Sequence, residues 1–180
     1  MDTRIEDYQQ NAAHFTDVVD ATTAWHGDSP CAGWTATDVL DHVVDTQRDF
    51  LVKRGATLPP LPDGTPPERW HAHLDGVQDV VTDEAFTFEE YDGYFGRTTV
   101  ADTLSSFYGF DMLVHRWDLA RAVGSDVRFT DAELDRIEKS VEGFGDALYS
   151  DGVCGPPVDV PADSPRQQRL LGLMGRRTAG

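Results

Sequence analysis

The chain has 180 residues, 39% of them hydrophobic and 10% aromatic, enough for one domain with its own core. Its 32 acidic against 15 basic residues leave a formal charge of −17, which opposes nucleic acid and anionic membranes as partners. No apolar run approaches the roughly 20 residues that span a bilayer, and Met1–Glu6 lacks a signal-peptide pattern, so a cytoplasmic location is expected.

In chain order, Ile5, Tyr8, Ala12, Phe15, Val18, Val19 and Thr22 recur at helical spacing and predict a helix over 4–24. Gly27, Pro30 and Gly33 mark a loop after it. Thr35-Ala36-Thr37-Asp38 has the spacing of a capping box and predicts a second helix to Lys53. A Pro/Gly-rich loop comes next, with Pro67 suited to a first helical position and Trp70, Leu74, Val77 and Val81 marking a third helix. Phe86–Tyr91 alternates as an extended segment would, and Gly93 and Gly96 punctuate the residues after it. Thr99–Asp102 and Thr130–Glu133 are further capping boxes, opening helices expected to end at Gly124 and near Tyr149. Residues 155–180 read as a Pro-rich tail packed on the body, with a short helix over Gln167–Met174. The expected whole is a single all-α domain over 1–180, a helical bundle.

The residues that could carry chemistry lie on two of these helices. Asp111 and His115, four apart, project from one helical face, and Leu104, Tyr108, Asp118 and Ala122 fall on the same stripe. His42 lies two turns inside the second helix among Val39, Leu40, Val43 and Val44. Oxygen and imidazole ligands so placed suit a facial metal site with open positions. On spacing alone a satisfied His–Asp pair and a packed core histidine are the commoner outcomes of such placements. His71 and His73 point apart on their helix; with His14 and His26 they read as surface or outer residues. Trp34 and Trp117 read as core anchors, or as a wall of the metal pocket. Arg116 and Arg121 read as surface charges, with recognition of a substrate carboxylate as the functional alternative. Cys31 and Cys154 form no Cys-x-x-Cys pair and are expected as packed thiols, Cys31 becoming a metal-activated thiolate only if it lies close to the site. There is no Gly-rich phosphate loop and no Gly-x-Ser-x-Gly elbow.

Pro30-Cys31-Ala32-Gly33-Trp34-Thr35, then Asp38-Val39-Leu40-Asp41-His42-Val43-Val44, then Asp111–Gly124 and the tail segments Gly155–Asp163 and Arg169–Arg176 carry a resemblance. In that order they resemble the DinB / mycothiol-dependent maleylpyruvate isomerase-like superfamily, and most its small actinobacterial, metal-binding members. The resemblance implies an antiparallel four-helix bundle with a metal at one end of its core, here with an extra C-terminal helix and tail. It implies the ligand set His42, Asp111 and His115, holding a divalent metal, zinc or nickel foremost, with mycothiol as a candidate thiol cofactor. The isomerase branch has Glu where this chain has Asp111, so ligation needs a closer backbone or a bridging water. That branch also has a further C-terminal domain that is not seen here, so its substrate does not carry over.

The function so implied is metal-dependent thiol S-transfer, isomerisation or hydrolysis of a small molecule, with Asp118 orienting a ligand imidazole. The alternative is a metal- or ligand-binding sensor module without turnover, and a homodimer through helix faces suits either.

Overall fold

The computed structural model describes residues 2–150 and 153–178. These are mostly helical, with one two-stranded hairpin. Helix α1 (Thr3–Ala21) is capped by the Asp2 side chain, and α2 (Ala36–Lys53) opens on the reciprocal Thr35–Asp38 box. Helix α3 spans Pro66–Val81. It begins one residue before the predicted Pro67, because Thr65 and Glu68 form a capping box that the Pro-rich context had hidden.

The extended segment expected over Phe86–Tyr91 is only half there. The Asp83 side chain accepts from the Ala85 and Phe86 amides and starts a one-turn helix, α4 (Glu84–Thr87). Extended backbone begins at Glu90, where β1 (Glu90–Gly93) pairs antiparallel with β2 (Gly96–Thr99), Gly93 facing Gly96 across a Tyr94-Phe95 turn. Gly96 sits at φ +112°, a conformation that favours glycine.

The Thr99–Asp102 box opens one continuous helical run: α5 (Val100–Thr103), a π-helical turn (Leu104–Tyr108) and α6 (Gly109–Ala122). Gly124 at φ +74° ends it, as predicted. Helix α7 (Asp131–Phe144) starts at the Thr130–Glu133 box but stops at Gly145, whose φ of +50° breaks the α-helix; a 3-10 turn carries the chain to Tyr149. Helix α8 (Arg166–Leu173) lies in the tail.

Helices α1 and α2 each pack against both α3 and α6. Their shared core includes Phe15, Leu40, Leu51, Trp70, Leu104 and Met112, all buried. A second core joins α6 to α7 and the tail through Phe110, Leu113, Trp117, Ile137, Leu170 and Leu171. Helix α6 is therefore buried on both sides, and polar groups on it must find partners inside the protein. The loop after α1 runs tightly against it: a Cβ on Gly27 would meet the Ala122 carbonyl oxygen at 2.2 Å. That close approach holds Cys31 and Trp34 over α6. No helix among the described residues is long and apolar enough to cross a membrane.

Candidate metal centre

The i, i+4 and i, i+3 spacings put Asp111, His115 and Asp118 along one face of α6, Asp111 and His115 beside His42 of α2 and Asp118 beside Cys31 and Arg176. His42 comes from the opposite wall. Its Nε2 stands 3.6 Å from Asp111 Oδ1, and His115 Nε2 stands 3.3 Å from the same oxygen. Ligand atoms of His42, Asp111 and His115 all lie within 4.8 Å of one another. The three residues named from the sequence are thus brought together.

The other carboxylate oxygen, Asp111 Oδ2, is buried and has no hydrogen-bond partner among the described residues. An unpaired buried carboxylate oxygen is costly unless something satisfies it. The imidazoles sit against aromatic rings: Trp34 lies 4.9 Å from His42 and 6.0 Å from His115 between ring centroids, nearly parallel to the latter. Trp34 is therefore a wall of this site, whereas Trp117 is buried in the second core.

Behind His115 stands a chain of charged groups. His115 Nδ1 lies 2.9 Å from Asp118 Oδ2, a carboxylate with no exposed surface. Arg176 donates to both oxygens of Asp118, from Nη2 at 2.8 Å and Nε at 3.3 Å. Its Nη1 also donates to the Met174 carbonyl at 2.8 Å. The Cys31 thiol donates to Asp118 Oδ2 at 3.4 Å, and Cys31, His115 and Asp118 form a second group of mutually close ligand atoms. Arg176 fills the space beside that second group, so a further cation there would meet a buried guanidinium. Cys31 and Cys154 are both free, each about one sulfur hydrogen-bond length from Arg176.

Electrostatics follow from these contacts. Burial opposes ionisation of Asp111, yet His115 and His42 outweigh it and hold the carboxyl below the usual range. Asp118 is likewise pulled down against burial, by Arg176 and His115. His115 is the mirror case: burial disfavours its charge, but Asp111, Asp118 and Cys31 raise it well above an ordinary histidine. Without a metal, an imidazolium donates to a carboxylate on each side. With Asp118 ionised, Nδ1 keeps its proton, and Nε2 is the nitrogen free to exchange a proton for a metal.

The donor set fits a divalent cation. Two imidazole Nε2 atoms and one carboxylate converge, an orphaned oxygen awaits a partner, and a carboxylate fixes the buried imidazole from behind.

The remaining histidines lie elsewhere. His26 is exposed, His71 meets Asp20 at 2.8 Å, and His14 lies 3.5 Å from Glu133. His73 is not an outer residue but fully buried, its Nε2 3.1 Å from Gln47 Oε1. Arg116, expected at the surface, is buried as well, paired with Glu133 at 2.8 Å and lying over Phe129. Arg176 escaped sequence reasoning as a functional residue, since nothing local in the tail distinguishes it from Arg177.

Residues 8–91 match the family model described as the mycothiol maleylpyruvate isomerase N-terminal domain. That family belongs to the DinB-like superfamily, so over residues 8–91, a little under half of its length, the chain is similar to it. The match includes His42 and Trp34 and ends before Asp111 and His115. No curated protein and no solved structure matches the chain.

Proposed function

We propose that this DinB-like protein binds one divalent metal ion, zinc or nickel foremost, through His42, Asp111 and His115. On this reading α1, α2, α3 and the α5–α6 run form the superfamily's antiparallel four-helix bundle, and the metal sits in its core. Asp111 is the observation that carries the proposal: one oxygen faces both imidazoles, and the other is buried without a partner. When bound, the ion would supply Lewis-acid chemistry, lowering the pKa of a thiol such as that of mycothiol, or of water.

The protein's own residues would do the rest. Arg176 holds Asp118, and Asp118 holds the His115 ring in the orientation that turns Nε2 toward Asp111. The His42 and Asp111 side chains are 22% and 19% exposed, so a small molecule can reach them from solvent. Trp34 offers it an aromatic wall. The reaction class we favour is thiol S-transfer or isomerisation of a small molecule, with hydrolysis as the variant. The second reading, a metal-binding module without turnover, draws support from the family match ending short of Asp111 and His115.

The test is elemental analysis of protein purified without a metal-affinity tag, beside the His42→Ala and His115→Ala variants. About one equivalent of metal in the wild type, lost in both variants, is the expected result. Protein that takes up no zinc or nickel after incubation, or variants that keep the full complement, would overturn the assignment. Asp111→Glu, tested alongside, should retain or tighten binding if Asp111 ligates directly.

A further inference from the structure

A cleft of about 950 Å³ lies between the β1–β2 hairpin, the π-helical turn and α7, and none of the three candidate metal ligands lines it. That volume suits a small organic molecule. Its floor and walls are rings: Phe50 stands 6.3 Å from Tyr91 and 5.3 Å from Tyr108, and Phe107 stands 5.9 Å from Phe144. Phe95, at the hairpin tip, reaches Phe144 at 5.7 Å. The tip itself is open to solvent, Tyr94 being 84% and Phe95 66% exposed. Two aromatic side chains on an exposed turn beside an apolar cleft are unusual in a free surface.

The charge of the lining decides the class of ligand. The chain as a whole has about twice as many acidic as basic residues, yet among the described residues this cleft is lined by Arg97, Arg136 and Lys139 against one carboxylate, Asp7. Asp7 is already engaged, by an ion pair with Arg136 and by the Ser105 hydroxyl at 2.6 Å. Arg97 is paired outward with Glu90. Lys139, one of only two lysines in the chain, has no carboxylate within ion-pair distance among the described residues. Aromatic faces select flat apolar groups by stacking, and an uncommitted ammonium selects an anion.

We propose that this cleft binds a flat, apolar small molecule carrying one negative charge, an aromatic carboxylate in its simplest form. The rings take the flat body and Lys139 takes the carboxylate. The site is separate from the metal centre, although Tyr108 in its floor lies one helical turn before Asp111.

The experiment is calorimetric titration with 2-naphthoate and with its uncharged counterpart, 2-naphthylmethanol, on wild-type protein before and after treatment with EDTA. Lys139→Glu and Phe95→Ala both change exposed side chains, and circular dichroism checks that they fold. We expect 2-naphthoate to bind once per chain and the alcohol about tenfold more weakly, the effect of one charge-assisted contact. Lys139→Glu should remove that preference while leaving alcohol binding in place, and Phe95→Ala should weaken both ligands. Binding of 2-naphthoate that disappears with EDTA would move the anion to the metal and overturn the proposal. So would no binding at millimolar 2-naphthoate, or equal binding of both ligands in wild type and Lys139→Glu. A dimer that depends on Phe95 and that 2-naphthoate leaves intact would assign the cleft to a second copy of the chain instead.

Discussion

The interior around His73 and the interior around His115 bury the same side chain to opposite effect. Among the described residues His73 has only the Gln47 amide oxygen as a hydrogen-bond partner, itself shared with the Tyr8 hydroxyl at 2.6 Å, and its Nδ1 is without one. Burial therefore pushes its pKa down to about 3, with Arg48 adding to the effect. His115 is buried to a similar degree, but two carboxylates flank it and it titrates well above 6.5. Burial alone does not decide whether a histidine is charged; its partners do. The first histidine is a packing element that stays neutral. The second belongs to a network of opposite charges whose proton a metal ion could replace.

The hardest blow to that contrast is to remove Asp118. Asp118→Ala leaves the buried Arg176 guanidinium and the His115 ring without their shared acceptor, and should cost about 3–5 kcal/mol in denaturant unfolding. The double variant Asp118→Leu/Arg176→Met, which leaves no lone charge, should recover most of that loss. A single variant as stable as the wild type would mean that the network does not hold the interior.

The His73 side is tested with acid. Its folded pKa lies below its unfolded value, so between pH 6.5 and about 3 the unfolded chain binds a proton that the folded chain does not. This contribution to stability is intact above pH 6.5 and falls as pH drops through that window, by about 1.4 kcal/mol per unit. His73→Leu should flatten this slope in denaturant melts taken at several pH values; an unchanged slope would place the proton elsewhere.

For His115 the sign is reversed. Its raised pKa stabilises the metal-free protein below pH 6.5, and that contribution is lost as pH rises through the folded value. On the metal proposal, binding expels the same proton, so affinity should rise about tenfold per pH unit near neutrality. Calorimetry in two buffers of different ionisation enthalpy should count about one proton released per metal bound. Zero release would show that the imidazole was already neutral.

The smallest effect is expected far from both. Arg166 pairs with Asp135 and Glu138 at the surface, and Arg166→Ala should cost less than about 1 kcal/mol. A larger loss would mean that exposed pairs, and not the interior ones, sustain the fold.

What could be read in the sequence divides along the same physical line. Local chemistry was legible: the Thr35, Thr99 and Thr130 capping boxes, the glycine stop at Gly124, and the one-face spacing of Asp111, His115 and Asp118. The approach of His42 to that face came from family resemblance, since no local rule says which helices become neighbours. The burial of His73 was within reach, because Trp70, His73 and Val77 share one helical face; reading His73 only against His71 obscured it. Arg176 was out of reach. Its partner lies 58 positions earlier, and its role depends on how the tail folds back over α6.

The π-helical turn at Leu104–Tyr108 bears on how this chain can vary in length. It accommodates one residue more than α-helical hydrogen bonding needs, so the helical count differs on its two sides. Deleting Ser106 would let the run become uniformly α-helical while keeping the faces on its two sides in phase, whereas the same deletion in the α-helical stretch of α6 would turn its two ends by about 100° relative to each other. A one-residue deletion at this turn would thus be taken up locally, leaving the hairpin and its aromatic tip where they stand relative to His42, Asp111 and His115.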